Sequence, residues 1–238
     1  MRRLLCLALV APLALAACGE GKAPSEKLKD ATEKLVEEAS GEAPPKLAEG
    51  PYAPRDECVG LPGAGAFRQR LARAVEARDA DALVALAASD VKLDFGGGAG
   101  AKELRARLAD DDLNLWAELD TLLAMGCAAD GEASMTMPWY FAQEIDAVDP
   151  MMGMIVAGED VPLRLEPKPA SAVLEPISWD VVELVEGWRP DAAFQHVATT
   201  EGKRGYIATG SLRSMIDYRL LASSRNGEWS IVSFVAGD

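Results

Sequence analysis

The sequence predicts an α+β protein: a small, mostly helical domain over residues 56–133, followed by a small all-β domain over residues 134–238. Two observations carry that division. Between residues 64 and 125, apolar side chains recur at three- and four-residue intervals, the period of a helix that buries one face. From residue 134 the runs shorten, and turn residues recur about every 8–12 positions, the texture of a small barrel or sandwich.

The helical elements follow in order. "AFRQRLARAVEAR" sets Phe67, Leu71 and Val75 on one face. "DADALVALAA" follows, with Asp79 or Asp81 placed to cap it. "VKLDF" alternates Val91, Leu93 and Phe95 as a short strand, and "GGGAG" ends it. "AKELRARLA" and "DDLNLWAELDTLLAMG" are two further helices. The second turns Leu115, Trp116, Leu119, Leu122 and Leu123 inward, with Asp110, Asp111 or Asp112 as its cap.

In the β half, "ASMTMPWYFA" leads in and "MMGMIVAG" is an apolar strand. "VPLRLEPKPASAVLEPISWDVVELVE" holds three short β runs separated by prolines. "AFQHVATTEGKRGYIA" is a hairpin turning at Glu201-Gly202. "IDYRLLASSRNGEWSIVSF" is a second, turning at Asn226-Gly227, the strongest short turn signal in the chain.

Helix, helix and "SDVKLDF" resemble the start of a nuclear-transport-factor-like cone. The β half resembles a bacterial SH3-like domain. That resemblance rests on Leu163-Arg164, Pro167, Ser171, Val173-Leu174, Val181 to Leu184, Gly202-Lys203, Gly205-Tyr206-Ile207 and Leu212-Arg213. It implies an SH3-like barrel, with Trp188 displaced into a loop, and no assigned chemistry.

The N-terminus is informative in a different way. "MRR" precedes fourteen mostly apolar residues, Leu4 to Ala17, too few for a spanning helix of ~20. A basic start, a short apolar core and small residues before a cut describe a secretory signal over residues 1–17. "LAAC" resembles the lipobox of bacterial lipoproteins, with Leu15 three positions before Cys18. The resemblance implies cleavage before Cys18, a thioether-linked diacylglycerol on its sulfur, and acylation of the new amine. Several acyl chains at ~0.8 kcal/mol per buried methylene hold a protein firmly to a bilayer. The expected address is the cell envelope, facing the periplasm, and Gly19 after the cysteine points to the outer rather than the inner membrane. Residues 18–55 read as a lipid-anchored, flexible tether. Within it, "SEKLKDATEKLVEEASG" places Leu28, Ala31, Leu35 and Ala39 at helical spacing, and "EAPPKLAEGPYAP" follows with four prolines.

Composition narrows the function classes. Lys and Arg number 24 against 38 Asp and Glu, a net charge of −14, and residues 1–17 contain two of the bases and no acid. Nucleic acid is excluded as a partner on that balance. Of the four cysteines, Cys6 leaves with the signal and Cys18 takes the lipid. Cys58 and Cys127 remain in a compartment that oxidises thiols. They read as a disulfide stabilising by ~4 kcal/mol in the chain-entropy model, the alternative being two buried free thiols. With a single histidine and no CxxC pair, no zinc site and no cofactor is expected.

Several motifs invite sharper readings that their surroundings do not support. "FGGGAGAKEL" lacks the Gly-Lys-Ser/Thr of a phosphate loop, since Glu103 follows Lys102. Asp110-Asp111-Asp112 lacks the alternation and distal glutamate of a calcium loop. His196 has no nucleophile elbow to serve, so no catalytic residue is assigned and the chain reads as a non-enzyme. The binding candidates are the aromatics Trp179, Tyr206 and Tyr218, expected to line a groove for an extended peptide. The leading expectation is a binding module of the envelope, holding a peptidoglycan peptide or an envelope protein. The alternatives are a structural or assembly accessory, and a helical domain with a small-molecule pocket around Trp116 and Phe95.

Overall fold

The computed structural model describes residues 48–237. The signal, Cys18, the Leu28–Ala39 stripe and the tether up to residue 47 lie outside the described residues. The helices are α1 (Ala64–Glu76), α2 (Ala80–Ala85), α3 (Ala101–Leu108) and α4 (Leu115–Ala124). The strands are β1 (Ala87–Lys92), β2 (Ala128–Asp130), β3 (Ser134–Met137), β4 (Gly153–Val156), β5 (Val161–Arg164), β6 (Val173–Ile177), β7 (Val181–Leu184), β8 (Phe194–Thr199), β9 (Arg204–Ala208), β10 (Leu212–Ser214), β11 (Arg219–Arg225) and β12 (Glu228–Val235).

These strands form two sheets, and their membership corrects the expected fold class. One sheet has five strands in the order β1-β12-β11-β3-β2, with β1 parallel to β12. The other has seven, in the order β10-β4-β7-β8-β9-β5-β6. The described residues are therefore mostly β. The reading of a helical domain followed by an SH3-like barrel is overturned at two points. First, β11 and β12 belong to the sheet that carries the helices, so residues 56–133 do not form a domain of their own. Second, β10 and β6 are the unpaired edges of the seven-stranded sheet, and no barrel closes. The local hairpins are as expected. The flanking partners of β11 and β12 are set by pairings between distant residues, Met137 with Leu220 and Ala87 with Ile231, which no local pattern encodes.

The helices form because each presents an apolar stripe to the five-stranded sheet. Phe67 and Leu71 of α1, Leu104 of α3 and Leu119 and Leu122 of α4 are fully buried against Met135, Leu220 and Ile231. Burial of a side chain of this size stabilises by about 1.5–3 kcal/mol. Asp79 caps α2, accepting a hydrogen bond from Ala82 N at 3.0 Å. None of the three aspartates 110–112 caps α4. Its N-cap is Asn114 at φ 46°, with no side-chain hydrogen bond, and Asp110 instead accepts from Asp112 N at 3.0 Å. The β11–β12 turn places Asn226 and Gly227 both at positive φ (54° and 81°), the type I′ geometry their sequence favours.

The two sheets share a cluster of buried side chains. Met125 and Ala128 from one side meet Trp139, Tyr140, Ile155 and Val181. Residues 49–55, read from sequence as the end of the tether, lie against this cluster. Tyr52 N donates to Trp179 O at 2.8 Å, Cys127 N to Arg55 O at 2.8 Å, and Ala53 is buried. Gly126, at φ 80°, is required there, because a Cβ would lie 2.3 Å from Arg55 O. Cys58 and Cys127 form a disulfide, with Cα atoms 5.9 Å apart. Arg213 on β10 completes the joint, donating to Glu118 of α4 at 3.0 Å and to Tyr218 O at 3.0 Å.

Candidate functional site

The three aromatics expected to line one groove sit in three different places. Trp179 occupies the turn between β6 and β7 at φ 44°. Its backbone is tied to Gly158 O and Tyr52 N, and its ring packs on the cluster between the sheets. Tyr218 packs on Phe234, with ring centroids 4.9 Å apart, at the edge of the helical core. Partial burial raises its phenol pKa. Tyr206 faces a concavity.

That concavity, about 260 Å³, is built on β8 and β9 and the irregular segment 185–193 before them. In the β8–β9 register His196 stands opposite Tyr206. Their rings stack at 4.7 Å, 16° from parallel. Pro167, at the tip of the β5–β6 hairpin, and Phe194 supply further apolar lining. Glu186 and Arg189 form an ion pair on the same concavity, and His196 Nδ1 lies 3.5 Å from the Glu186 carboxylate.

The segment 185–193 is irregular, yet it is fastened. Gln195 is 2% exposed, and its amide is fully used. It donates to Arg189 O at 2.7 Å and to Thr209 Oγ1 at 3.0 Å, and accepts from Arg189 N at 3.2 Å. Thr209 Oγ1 in turn donates to Ala192 O. A buried amide satisfied in this way holds one loop conformation, which keeps Glu186 and Arg189 beside the stacked rings. Gly205, next to Tyr206, allows β9 to lie close to β5, since a Cβ there would sit 2.7 Å from Arg164 O.

Chemically, the concavity offers an aromatic face, a proline, an imidazole, a carboxylate and a guanidinium. Its lining includes no serine, threonine or cysteine. It can hold a chain with apolar and polar groups. The same segments carry exposed apolar side chains: Leu165 is 58% exposed, Val173 52% and Trp188 46%. Leu165 and Val173 lie on the hairpin that carries Pro167, and Trp188 sits in the loop between Glu186 and Arg189. Sequence reasoning missed Glu186, Arg189 and Phe194; their one signal is the neighbouring Gln195, an amide on an inward strand position.

The remaining candidates resolve into structure. The glycine loop "FGGGAG" wraps its own aspartate: Asp94 Oδ1 accepts from Gly96 N at 2.8 Å and Gly98 N at 2.7 Å. The amides that would cradle a phosphate are spent. Arg107, paired with Asp94, and these amides lower the pKa of the Asp94 carboxyl. Among the described residues, no closed apolar cleft forms around Trp116 and Phe95. Phe95 is 48% exposed, with Lys92 Nζ 4.0 Å from its ring centre, and Phe67, Leu71 and Met135 fill the space under the helices. Asp56, Cys58 and Cys127 lie within 4.8 Å of one another, but both sulfurs are spent in the disulfide, leaving no thiolate for a metal.

No family model matches the chain, and no curated protein matches it. A solved structure of a protein of unknown function with a cystatin-like fold, from Nostoc punctiforme, is similar to 73% of this chain and 86% of that one. Its identity is 14% and its TM-score 0.26, values at which the likeness carries no statement about activity.

Proposed function

We propose that this chain is a lipid-anchored protein of the bacterial cell envelope that binds an extended peptide, without chemistry, in the Tyr206–His196 concavity. The bilayer is one partner, through acylated Cys18. The other is a peptide of peptidoglycan or a segment of an envelope protein. The observation that supports this most is the stacked Tyr206–His196 pair beside a fixed Glu186–Arg189 ion pair. Flat aromatic surface next to a paired acid and base suits a backbone carrying ammonium and carboxylate groups. The exposed Leu165, Val173 and Trp188 nearby favour a macromolecular ligand over a small solute.

The test is retention of the full chain on purified sacculi. Wild type is expected to sediment with the wall, and the Tyr206→Ala, Glu186→Gln double variant to remain in solution. Failure of the wild type to sediment overturns the wall ligand. A discrete protein adduct on crosslinking in intact cells, lost in the same variant, then assigns the site to an envelope protein. Labelling with a clickable fatty acid that persists in Cys18→Ser refutes the anchor separately.

A further inference from the structure

A second concavity, about 780 Å³, lies on the opposite sheet's helices, between α1, α2 and the start of β12. Its volume is that of a small-molecule site. Its lining is made short by alanines, among them Ala74, Ala77 and Ala82, and the buried Trp229 lies beneath it. The indole N–H is already donated to Pro62 O at 2.8 Å, so Trp229 adds no free donor to the concavity.

Two guanidiniums line it. Arg70 and Arg73 are three residues apart on α1 and so share a face. Other arginines from this stretch are neutralised: Arg68 pairs with Asp56 and Arg78 with Asp120. Arg70 and Arg73 pair with no carboxylate among the described residues, and Arg73 Nε reaches only Gln69 O of its own helix, at 3.2 Å. In a chain of net charge −14, two adjacent cations with no acid at ion-pair distance are unusual.

We infer that this concavity binds a small organic carboxylate, with its charged group on Arg70 and Arg73 and its apolar body on the accessible alanines Ala77, Ala82 and Ala85. A guanidinium matches a carboxylate with two parallel hydrogen bonds. Asp79 and Glu228 line the same concavity. Neither acid is ion-paired to Arg70 or Arg73, and the lining is formally neutral, so the carboxylate is held by its contact with the guanidiniums and not by a surplus of positive charge. This site is independent of the Tyr206 concavity.

The probe is 4-phenylbutyrate, titrated calorimetrically into the full chain at low salt, with 4-phenylbutanol as its uncharged counterpart. Wild type is expected to prefer the carboxylate by at least about tenfold. R70Q/R73Q is expected to lose that preference. Ala77→Phe sets a phenyl ring on the alanine surface with both guanidiniums in place, and is expected to bind neither probe. All three positions are exposed, so the variants keep the core, and unchanged circular dichroism checks this. Equal carboxylate affinity in wild type and R70Q/R73Q, no binding by the wild type, or full binding by Ala77→Phe each overturns the inference.

Discussion

Replacing Arg213 by Met tests the joint between the two sheets. The Arg213 side chain is 8% exposed and donates to the Glu118 carboxylate and to Tyr218 O, both at 3.0 Å, with Asp217 at 3.4 Å. Methionine keeps most of the apolar stem and removes the charge and both hydrogen bonds. Stripping one partner from a buried ion pair costs about 3–5 kcal/mol. Here Glu118 and Asp217 remain 27% and 30% exposed, so water takes over part of the lost solvation, and the expected cost falls to about 2–3 kcal/mol. At ~2–4 °C per kcal/mol for a chain of this size, the midpoint falls by about 5–10 °C. Urea unfolding, followed by tryptophan fluorescence and far-ultraviolet circular dichroism together, reads the effect. The double variant R213M/E118Q is expected to cost less than the two singles added, by about 1 kcal/mol. A change in R213M below about 0.5 kcal/mol, or strict additivity with E118Q, refutes the view that this pair fastens the two sheets.

Two further outcomes follow from the same region and from the staple beside it. Burial of Tyr140 pushes its phenol up to about 12 from an ordinary 10.0. The unfolded chain ionises this group first, so its contribution to stability is complete below pH 10 and is lost as pH rises through about 12. Phenolate absorbance is expected to show a last-titrating tyrosine that Tyr140→Phe removes; its persistence in that variant refutes the assignment. Reduction of Cys58–Cys127, separated by 69 residues, is expected to lower stability by ~4 kcal/mol, read as a drop in the urea midpoint with reductant; an unchanged midpoint refutes the stabilising role.

Local order is legible in this sequence, and the assembly of that order is not. The Phe67, Leu71, Val75 stripe marks α1, and Asn226-Gly227 marks the β11–β12 turn, because the period of a helix and the positive φ of a type I′ turn are properties of a few adjacent residues. The same hairpin misleads on topology. Its strands alternate as well for an SH3-like barrel as for the sheet under the helices, and the choice is made by β1 and β3, which flank β11 and β12 from distant parts of the chain. The candidate site divides in the same way. Tyr206 stands out in sequence through "GKRGYI", where Gly205 lets one strand approach another. Glu186 and Arg189 carry no pattern. They reach Tyr206 only because the buried amide of Gln195 spends its hydrogen bonds on a loop that has no ladder of its own. A polar side chain on an inward strand position marks a loop that must be held. Gln195 and Arg213, two of the few buried polar side chains among the described residues, occupy such positions: one fixes the concavity and the other fixes the joint.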